Sequence, residues 1–237
     1  MKIGVMSDLH IPYHDFRSVE KAVSIISDFC ADTLVLLGDV LDFYSISFWV
    51  RDPRRVDLRA ELLEGVKFFD WLRSTLSDVR IIYVEGNHEE RLFRYLAKKA
   101  PEIVKLGVVT PESILRLNDF GIKYVSNKLL CREFGSPFSI GNVYFLHGHE
   151  VSVGFTSVNV ARNVFLRTLA NTVVGHFHRT QMYMHKSISG ESYGCWSVGC
   201  LCRLNTEFSP INQWDRSVLL LSIDSDNKID YAGFVEV

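Results

Sequence analysis

Apolar residues follow two alternating rhythms along this chain. Lys2 to Ser7, Thr33 to Leu37 and Val79 to Val84 are short β-rich runs with little polar interruption. Such runs suit interior parallel strands, which are buried on both faces. Between them, apolar residues return every three or four positions, as on a helix with one buried stripe. Val19, Ala22, Val23, Ile26 and Phe29 form one such stripe, and Leu58, Leu62, Val66, Phe69, Leu72 and Leu76 another. A third helix is expected over Arg91 to Ala100, stopped by Pro101, because an interior proline lacks an N–H and clashes with the preceding turn. Residues 101–120 read as loop with a short helical turn near Glu112 to Leu117.

Further strands are expected over Gly121 to Val125, Lys128 to Arg132, Ser139 to Leu146 and Thr172 to Val174, with a helix over Val158 to Leu169. Thr180 to Lys186, Glu191 to Val198, Ser217 to Ile223 and Lys228 to Val235 read as strands joined by turns such as Ser225-Asp226-Asn227. The fold class is therefore α/β, alternating at first and mainly antiparallel at the end. No repeat or low-complexity linker divides it, so residues 1–237 are expected to form one domain.

Composition adds boundaries. A chain of 237 residues that is 47% hydrophobic can bury a substantial core. Its formal net charge of -2 gives no global attraction to phosphate polymers, so any nucleic-acid contact needs a local patch. No apolar run approaches the roughly 20 residues that span a bilayer. The run from Met1 meets Asp8 too soon for a signal peptide, and a cytoplasmic location is expected. The five cysteines are odd in number and lack framework spacing, which favours reduced thiols. Cys195, Cys200 and Cys202 lack the paired Cys-x-x-Cys spacing and four ligands of a structural zinc, so they read as buried thiols.

The chemistry lies where the strands stop. Asp8 and His10, Asp39 and Asp42, Asn87 and His88, His147, and His176 and His178 each follow an apolar run. The carboxyl ends of strands are where α/β sheets present ligand-binding groups. Imidazoles, carboxylates and one amide converging there suit a pair of divalent transition ions. Two cations repel, and a bridging carboxylate offsets that repulsion.

Five blocks occur in order: Asp8-Leu9-His10, Gly38-Asp39-Val40-Leu41-Asp42, Gly86-Asn87-His88-Glu89, His147-Gly148-His149, and Gly175-His176-Phe177-His178. One block alone is a weak signal, but the ordered set resembles the calcineurin-like metallophosphoesterase superfamily. The resemblance implies two mixed β-sheets packed as a sandwich and flanked by helices, an αββα fold. It implies that Asp8, His10 and His178 hold one metal, that Asn87, His147 and His176 hold the second, and that Asp39 bridges. It further implies that His88 faces the phosphate as donor of a proton or hydrogen bond, oriented by Asp42, although an aspartate there also suits a capping role. Manganese is the first expectation for both cations, with iron, zinc and nickel served by the same ligands.

The implied function is hydrolysis of phosphate mono- or diesters by a metal-activated hydroxide, extending to nucleotides or nucleic acid. The alternative is a non-catalytic scaffold or interaction protein that keeps the metal-binding fold. Glu90-Arg91 after the third block, and the tail Gly194 to Cys202 with Trp214, resemble small single-domain bacterial and phage members. Phe43-Tyr44 after Asp42 departs from the Asp-Arg-Gly of serine/threonine protein phosphatases. The double-strand-break nucleases carry further domains after the metal core, and this chain is expected to lack them.

Arg91 is the candidate contact to substrate phosphate, and Glu89 a support for the site. Phe43, Tyr44, Phe48 and Trp49 are candidates for stacking on a base. His14 and His149 are candidates for supporting or substrate roles, while Arg94 and Lys98 read as solvated. Arg51, Arg54, Arg55 and Arg59 form a basic stretch diluted by Asp52 and Asp57. Oligomeric state is left open.

Overall fold

A computed structural model describes residues 1–126, 137–154, 157–206 and 209–237. The strand expected over Lys128 to Arg132, with Cys131, lies outside the described residues. The chain begins β1 (Lys2–Met6), α1 (Phe16–Asp28), β2 (Thr33–Leu37), α2 (Leu58–Thr75), β3 (Arg80–Val84) and α3 (Glu90–Lys99). It continues through α4 (Pro101–Leu106), α5 (Pro111–Ile114), β4 (Ile122–Val125), β5 (Ser139–Ile140) and β6 (Val143–Leu146). The last part comprises α6 (Val160–Thr168), β7 (Asn171–Val174), β8 (Gln181–Lys186), β9 (Ser192–Ser197), β10 (Ser217–Ile223) and β11 (Ile229–Glu236).

The strands form two mixed sheets, ordered β11-β10-β1-β2-β3-β4 and β5-β6-β7-β9-β8. In the first, β1 to β4 pair in parallel and β10 and β11 add antiparallel strands at one side. Alternation along β2 shows why its run is apolar throughout. Leu34 and Leu36 pack under α1 and α2, whereas Val35 and Leu37 face the second sheet, against Val143, Phe145, Val173 and Trp196. A third cluster, with Val160, Val164, Phe165 and Val174, seats α6 on the outer face of the second sheet. The result is four layers, helix, sheet, sheet and helix, the architecture implied by the resemblance.

Local chemistry sets the helix boundaries. Asp15, Asp57 and Asn159 cap α1, α2 and α6 by accepting from the backbone N–H groups of Ser18, Ala60 and Arg162. The helix expected over Arg91 to Ala100 does stop before Pro101, as α3 ending at Lys99, but residues 101–106, expected as loop, form α4, which starts with proline at its first position, where no N–H is needed. The run expected over Ser139 to Leu146 is divided at Gly141-Asn142 into two antiparallel strands. Among the described residues, no helix is long and apolar enough to cross a membrane.

Candidate metal centre

The parallel strands β1, β2 and β3 of one sheet and β6 and β7 of the other deliver their carboxyl ends to one place. Two ligand sets form there. Asp8 Oδ1 lies 3.1 Å from His178 Nε2, and His178 Nε2 lies 3.2 Å from His10 Nε2. In the second set, His147 Nε2 lies 3.1 Å from Asn87 Oδ1, 3.2 Å from His176 Nδ1 and 3.2 Å from Asp39 Oδ2. The same Asp39 Oδ2 lies 3.9 Å from His10 Nε2, on the first set's side. A cation with bonds near 2.1 Å spaces adjacent ligand atoms by roughly 3.0–3.4 Å, so the separations of 3.1 and 3.2 Å within the two sets fit metal ligation, while the 3.9 Å from Asp39 Oδ2 to His10 Nε2 is wider.

The donor chemistry fits as well, because the remaining atoms of the ligands are already engaged. Asp8 Oδ2 accepts from the Ser7 hydroxyl at 2.5 Å and from the His176 backbone N–H at 2.8 Å, which leaves Oδ1 for the site. Asp39 Oδ1 accepts from the His88 backbone N–H at 2.9 Å, which leaves Oδ2. His147 Nδ1 donates to the Leu37 carbonyl at 2.8 Å, and His10 Nδ1 to Asp42 Oδ1 at 3.0 Å. These partners set the tautomers that aim bare ring nitrogens inward.

In the metal-free arrangement, protons occupy part of that role. Burial opposes a charge on His147, but Asp39 outweighs it and raises the imidazole to about 10. His178 is likewise raised to about 9, burial being overcome by Asp8. His176 is lowered to about 3 by burial and by the neighbouring His147. Burial would push Asp8 and Asp39 upward, yet the surrounding imidazoles hold both carboxylates below their usual range.

The backbone is unusual here. Asp8, His10, Asp39, His176 and His178 all have positive φ, between 49° and 66°. Left-handed non-glycine residues are uncommon and concentrate at functional sites, and here five of the seven candidate ligands adopt that conformation. Two glycines permit the approach. Gly38 has φ of +84° and a Cβ there would lie 2.4 Å from His147 Nδ1. At Gly86 a Cβ would meet Asp39 Oδ1 at 2.3 Å.

Glu89 clamps these loops from beneath and is fully buried. Its Oε2 accepts from the N–H groups of Asp39 and Gly86, both at 2.9 Å. Its Oε1 accepts from Leu41 N–H at 3.1 Å and from the Tyr83 hydroxyl at 2.5 Å. Asp42 serves two rings at once: Oδ1 lies 3.0 Å from His10 Nδ1 and 3.1 Å from His88 Nδ1. Burial opposes its charge, but those two hydrogen bonds hold the carboxylate below its usual range. It caps no helix; the residue preceding the next helical turn is Phe43.

His88 presents Nε2 3.7 Å from Asp39 Oδ2, the oxygen that lies between the two sets. Its Nδ1 also lies 2.8 Å from the Asp42 carbonyl, and Arg91 Nη2 donates to its Nε2 at 2.8 Å. Burial is the largest cause lowering the pKa of His88, with His10 adding to it. Arg91 is thus brought to the site, while Arg94 pairs with Glu90 at 2.6 Å. His149 stands at the edge, its ring 5.4 Å from that of His147. His14 packs instead against Phe16 and Phe68.

Of the aromatic candidates, Phe43 is buried in the core and Tyr44 half-buried, whereas Phe48 and Trp49 are 80% and 67% exposed. Sequence reasoning missed the surroundings of His178. Trp214 packs on its ring at 4.3 Å between centroids, and Cys202 Sγ lies 3.9 Å from its Nδ1. The Cys-x-Cys spacing was the available signal.

The family model described as calcineurin-like phosphoesterase matches residues 1–198. The Gene 54 protein of Mycobacterium phage D29 is 27% identical over 243 residues, covering 95% of this chain and 90% of that protein. Among solved structures, a Vps29 single mutant from Entamoeba histolytica is similar with a TM-score of 0.45 at 13% identity, covering 100% of this chain and 99% of that one. Yfce, a phosphoesterase from E. coli, is similar with a TM-score of 0.44 at 16% identity, covering 98% of each chain.

Proposed function

We propose that this chain, which belongs to the calcineurin-like phosphoesterase family, hydrolyses phosphate esters at two divalent cations. Asp8, His10 and His178 would hold one, Asn87, His147 and His176 the other, and Asp39 would serve both. The supporting observation is the position of Asp39 Oδ2 between the two sets, 3.2 Å from His147 Nε2 and 3.9 Å from His10 Nε2. Two divalent cations against two carboxylates leave a charge of +2, which attracts a phosphate. When bound, such cations lower the pKa of water toward neutrality and offset charge on phosphoryl oxygens.

The chain's own residues complete the chemistry. His88 lies beside the shared oxygen with Nδ1 held by Asp42, so its Nε2 edge faces the reacting phosphate. Arg91 occupies that edge in the resting site. On substrate entry, Arg91 turns its N–H groups to a phosphoryl oxygen, and the freed His88 Nε2 takes up the proton released by the attacking water and passes it to the departing alkoxide. Manganese is the first choice of cation. Nucleotide phosphodiesters are the first choice of substrate, because Phe48 and Trp49 stack 4.5 Å apart on an exposed loop shortly after Asp42, beside Arg51.

The test is hydrolysis of bis-p-nitrophenyl phosphate and p-nitrophenyl phosphate by the manganese-loaded protein, followed by a panel of nucleotides. His88→Ala is expected to keep two metals and lose most turnover, whereas Asp39→Ala is expected to lose metal. Retained metal with no hydrolysis under any divalent cation would favour a scaffold role and defeat the enzyme reading.

A further inference from the structure

Cys200 and Cys202 take no part in the chemistry above, yet they meet the metal centre from behind. Both lie just past residue 198, where the family match ends. Both are buried, at 0% and 3% exposure. Their sulfurs and a ring nitrogen of His178 all lie within 4.8 Å of one another. The nitrogen facing them is Nδ1, 3.9 Å from Cys202 Sγ, whereas Nε2 faces Asp8 Oδ1 at 3.1 Å.

The segment is fastened in place. Leu201 N–H donates to the Asp8 carbonyl at 3.1 Å, Arg203 N–H to the Tyr13 carbonyl at 3.0 Å, and Cys200 N–H to the Asp215 carbonyl at 3.0 Å. The thiols are therefore held against the loop that carries Asp8 and His10. A tetrahedral ion with a Zn–S bond of about 2.3 Å and a Zn–N bond of about 2.0 Å separates S from N by roughly 3.5 Å and S from S by roughly 3.8 Å. The observed Cys202 to His178 separation of 3.9 Å is close to that edge. The Asp215 carbonyl, 3.5 Å from Cys200 Sγ, or a water would supply the fourth ligand.

We propose that Cys200, Cys202 and the Nδ1 edge of His178 form a site for one thiophilic cation, zinc or cadmium, that competes for His178 with the pocket on Asp8 and His10. The proposal rests on the reading of Asp8, His10 and His178 as a metal pocket. Two thiolates and an imidazole select soft ions over manganese, which prefers oxygen-rich sets. A neutral imidazole has one bare nitrogen, so His178 serves one cation at a time. With a hard cation at Nε2, Nδ1 keeps its hydrogen and donates to Cys202. With a soft cation at Nδ1, the hydrogen moves to Nε2, faces Asp8, and removes one ligand from the hard pocket. Binding the soft cation displaces the protons still carried by the thiols and by the Nδ1 edge of His178. Thiophilic metal would thereby switch off manganese-dependent hydrolysis from outside the substrate site.

The test titrates cadmium into the metal-free, full-length protein and follows thiolate-to-cadmium charge-transfer absorption in the ultraviolet. The wild type is expected to gain a band saturating at one equivalent, and the C200S/C202S variant to lack it while still binding two manganese ions. Cys30, Cys131 and Cys195 remain in that variant and report adventitious thiol binding. In the manganese-loaded protein, the cadmium concentration that halves hydrolysis of bis-p-nitrophenyl phosphate is expected to rise about tenfold or more in the variant. No band in the wild type, or equal bands in both proteins, would overturn the proposal. Loss of manganese binding in the variant is checked with the single variants C200S and C202S, one of which must lose the cadmium band with manganese retained if the proposal holds. A normal cadmium band in a wild type that binds no manganese would instead defeat the reading of the hard pocket and leave the thiol site standing.

Discussion

Asp42→Asn isolates what one carboxylate does for two rings. Asp42 Oδ1 lies 3.0 Å from His10 Nδ1 and 3.1 Å from His88 Nδ1. Asparagine keeps the volume and one oxygen but removes the charge. A hydrogen bond to a charged acceptor contributes about 1.5–3 kcal/mol and a neutral one about 0.5–1.5, so each bond weakens by roughly 1–1.5 kcal/mol. The His10 share appears as metal affinity and the His88 share as turnover, each about tenfold, since about 1.4 kcal/mol corresponds to a factor of ten. Calorimetric titration with manganese is expected to show one site weakened about tenfold and the other unchanged. Turnover at saturating manganese is expected to fall by a similar factor. Equal weakening of both sites, or unchanged affinity with wild-type turnover, would refute the assignment.

Gly86→Ala would place a methyl 2.3 Å from Asp39 Oδ1 and 2.4 Å from Asp39 N, neither of which can retreat without moving Asp39, the proposed bridging ligand. A loss of about 3 kcal/mol is expected, a fall in Tm of roughly 6–12 °C by calorimetry, together with weakened metal binding; wild-type Tm would contradict it. For pH, the metal-free His147 and His178 lie at about 10 and about 9, above the ordinary value of 6.5. A group raised on folding stabilises fully below its unfolded pKa and loses that contribution as pH rises through the folded value. The metal-free protein is therefore expected to lose Tm progressively from about pH 6.5, the unfolded value, up to about pH 9 for His178 and about pH 10 for His147, and manganese, which replaces the protons, is expected to suppress the loss. Identical alkaline profiles with and without metal would argue against ligation by these rings.

Much of the fold was legible because burial on both faces writes an uninterrupted run, as in β2, and burial on one face writes a stripe, as in α1. The stripe of α2 was only partly legible. Its buried face includes Glu61, Gly65 and Phe68 as well as Phe69 and Leu72. Hydrophobicity does not mark Gly65, which admits Leu41 and Leu115, both near 3.2 Å from where its Cβ would be. Nor does it mark Glu61, which burial and Asp42 raise to about 8 while the N–H groups of Phe43 and Ser45 act against that rise. Pro101 carries the same residue-level signal whether it stops a helix or starts one, and only the break at Ala100 decides.

At the site, residue type and order were enough to nominate the ligands, since imidazole and carboxylate at strand ends state their chemistry directly. The left-handed backbone at Asp8, His10, Asp39, His176 and His178 was not legible, because it arises from loops of both sheets crowding one centre. The partnership of Cys202 with His178 was hidden for a similar reason. It joins the loop after β9 to the loop after β7, and the Cys-x-Cys spacing of Cys200 and Cys202 does not by itself name His178 as the partner.

The shared position of Asp39 is tested most directly by anomalous diffraction from manganese-soaked crystals collected at the manganese edge. Two peaks are expected about 3.5–4 Å apart on either side of Asp39 Oδ2, one among Asp8, His10 and His178 and the other among Asn87, His147 and His176. A single peak, or two peaks that do not share Asp39, would contradict the dinuclear reading.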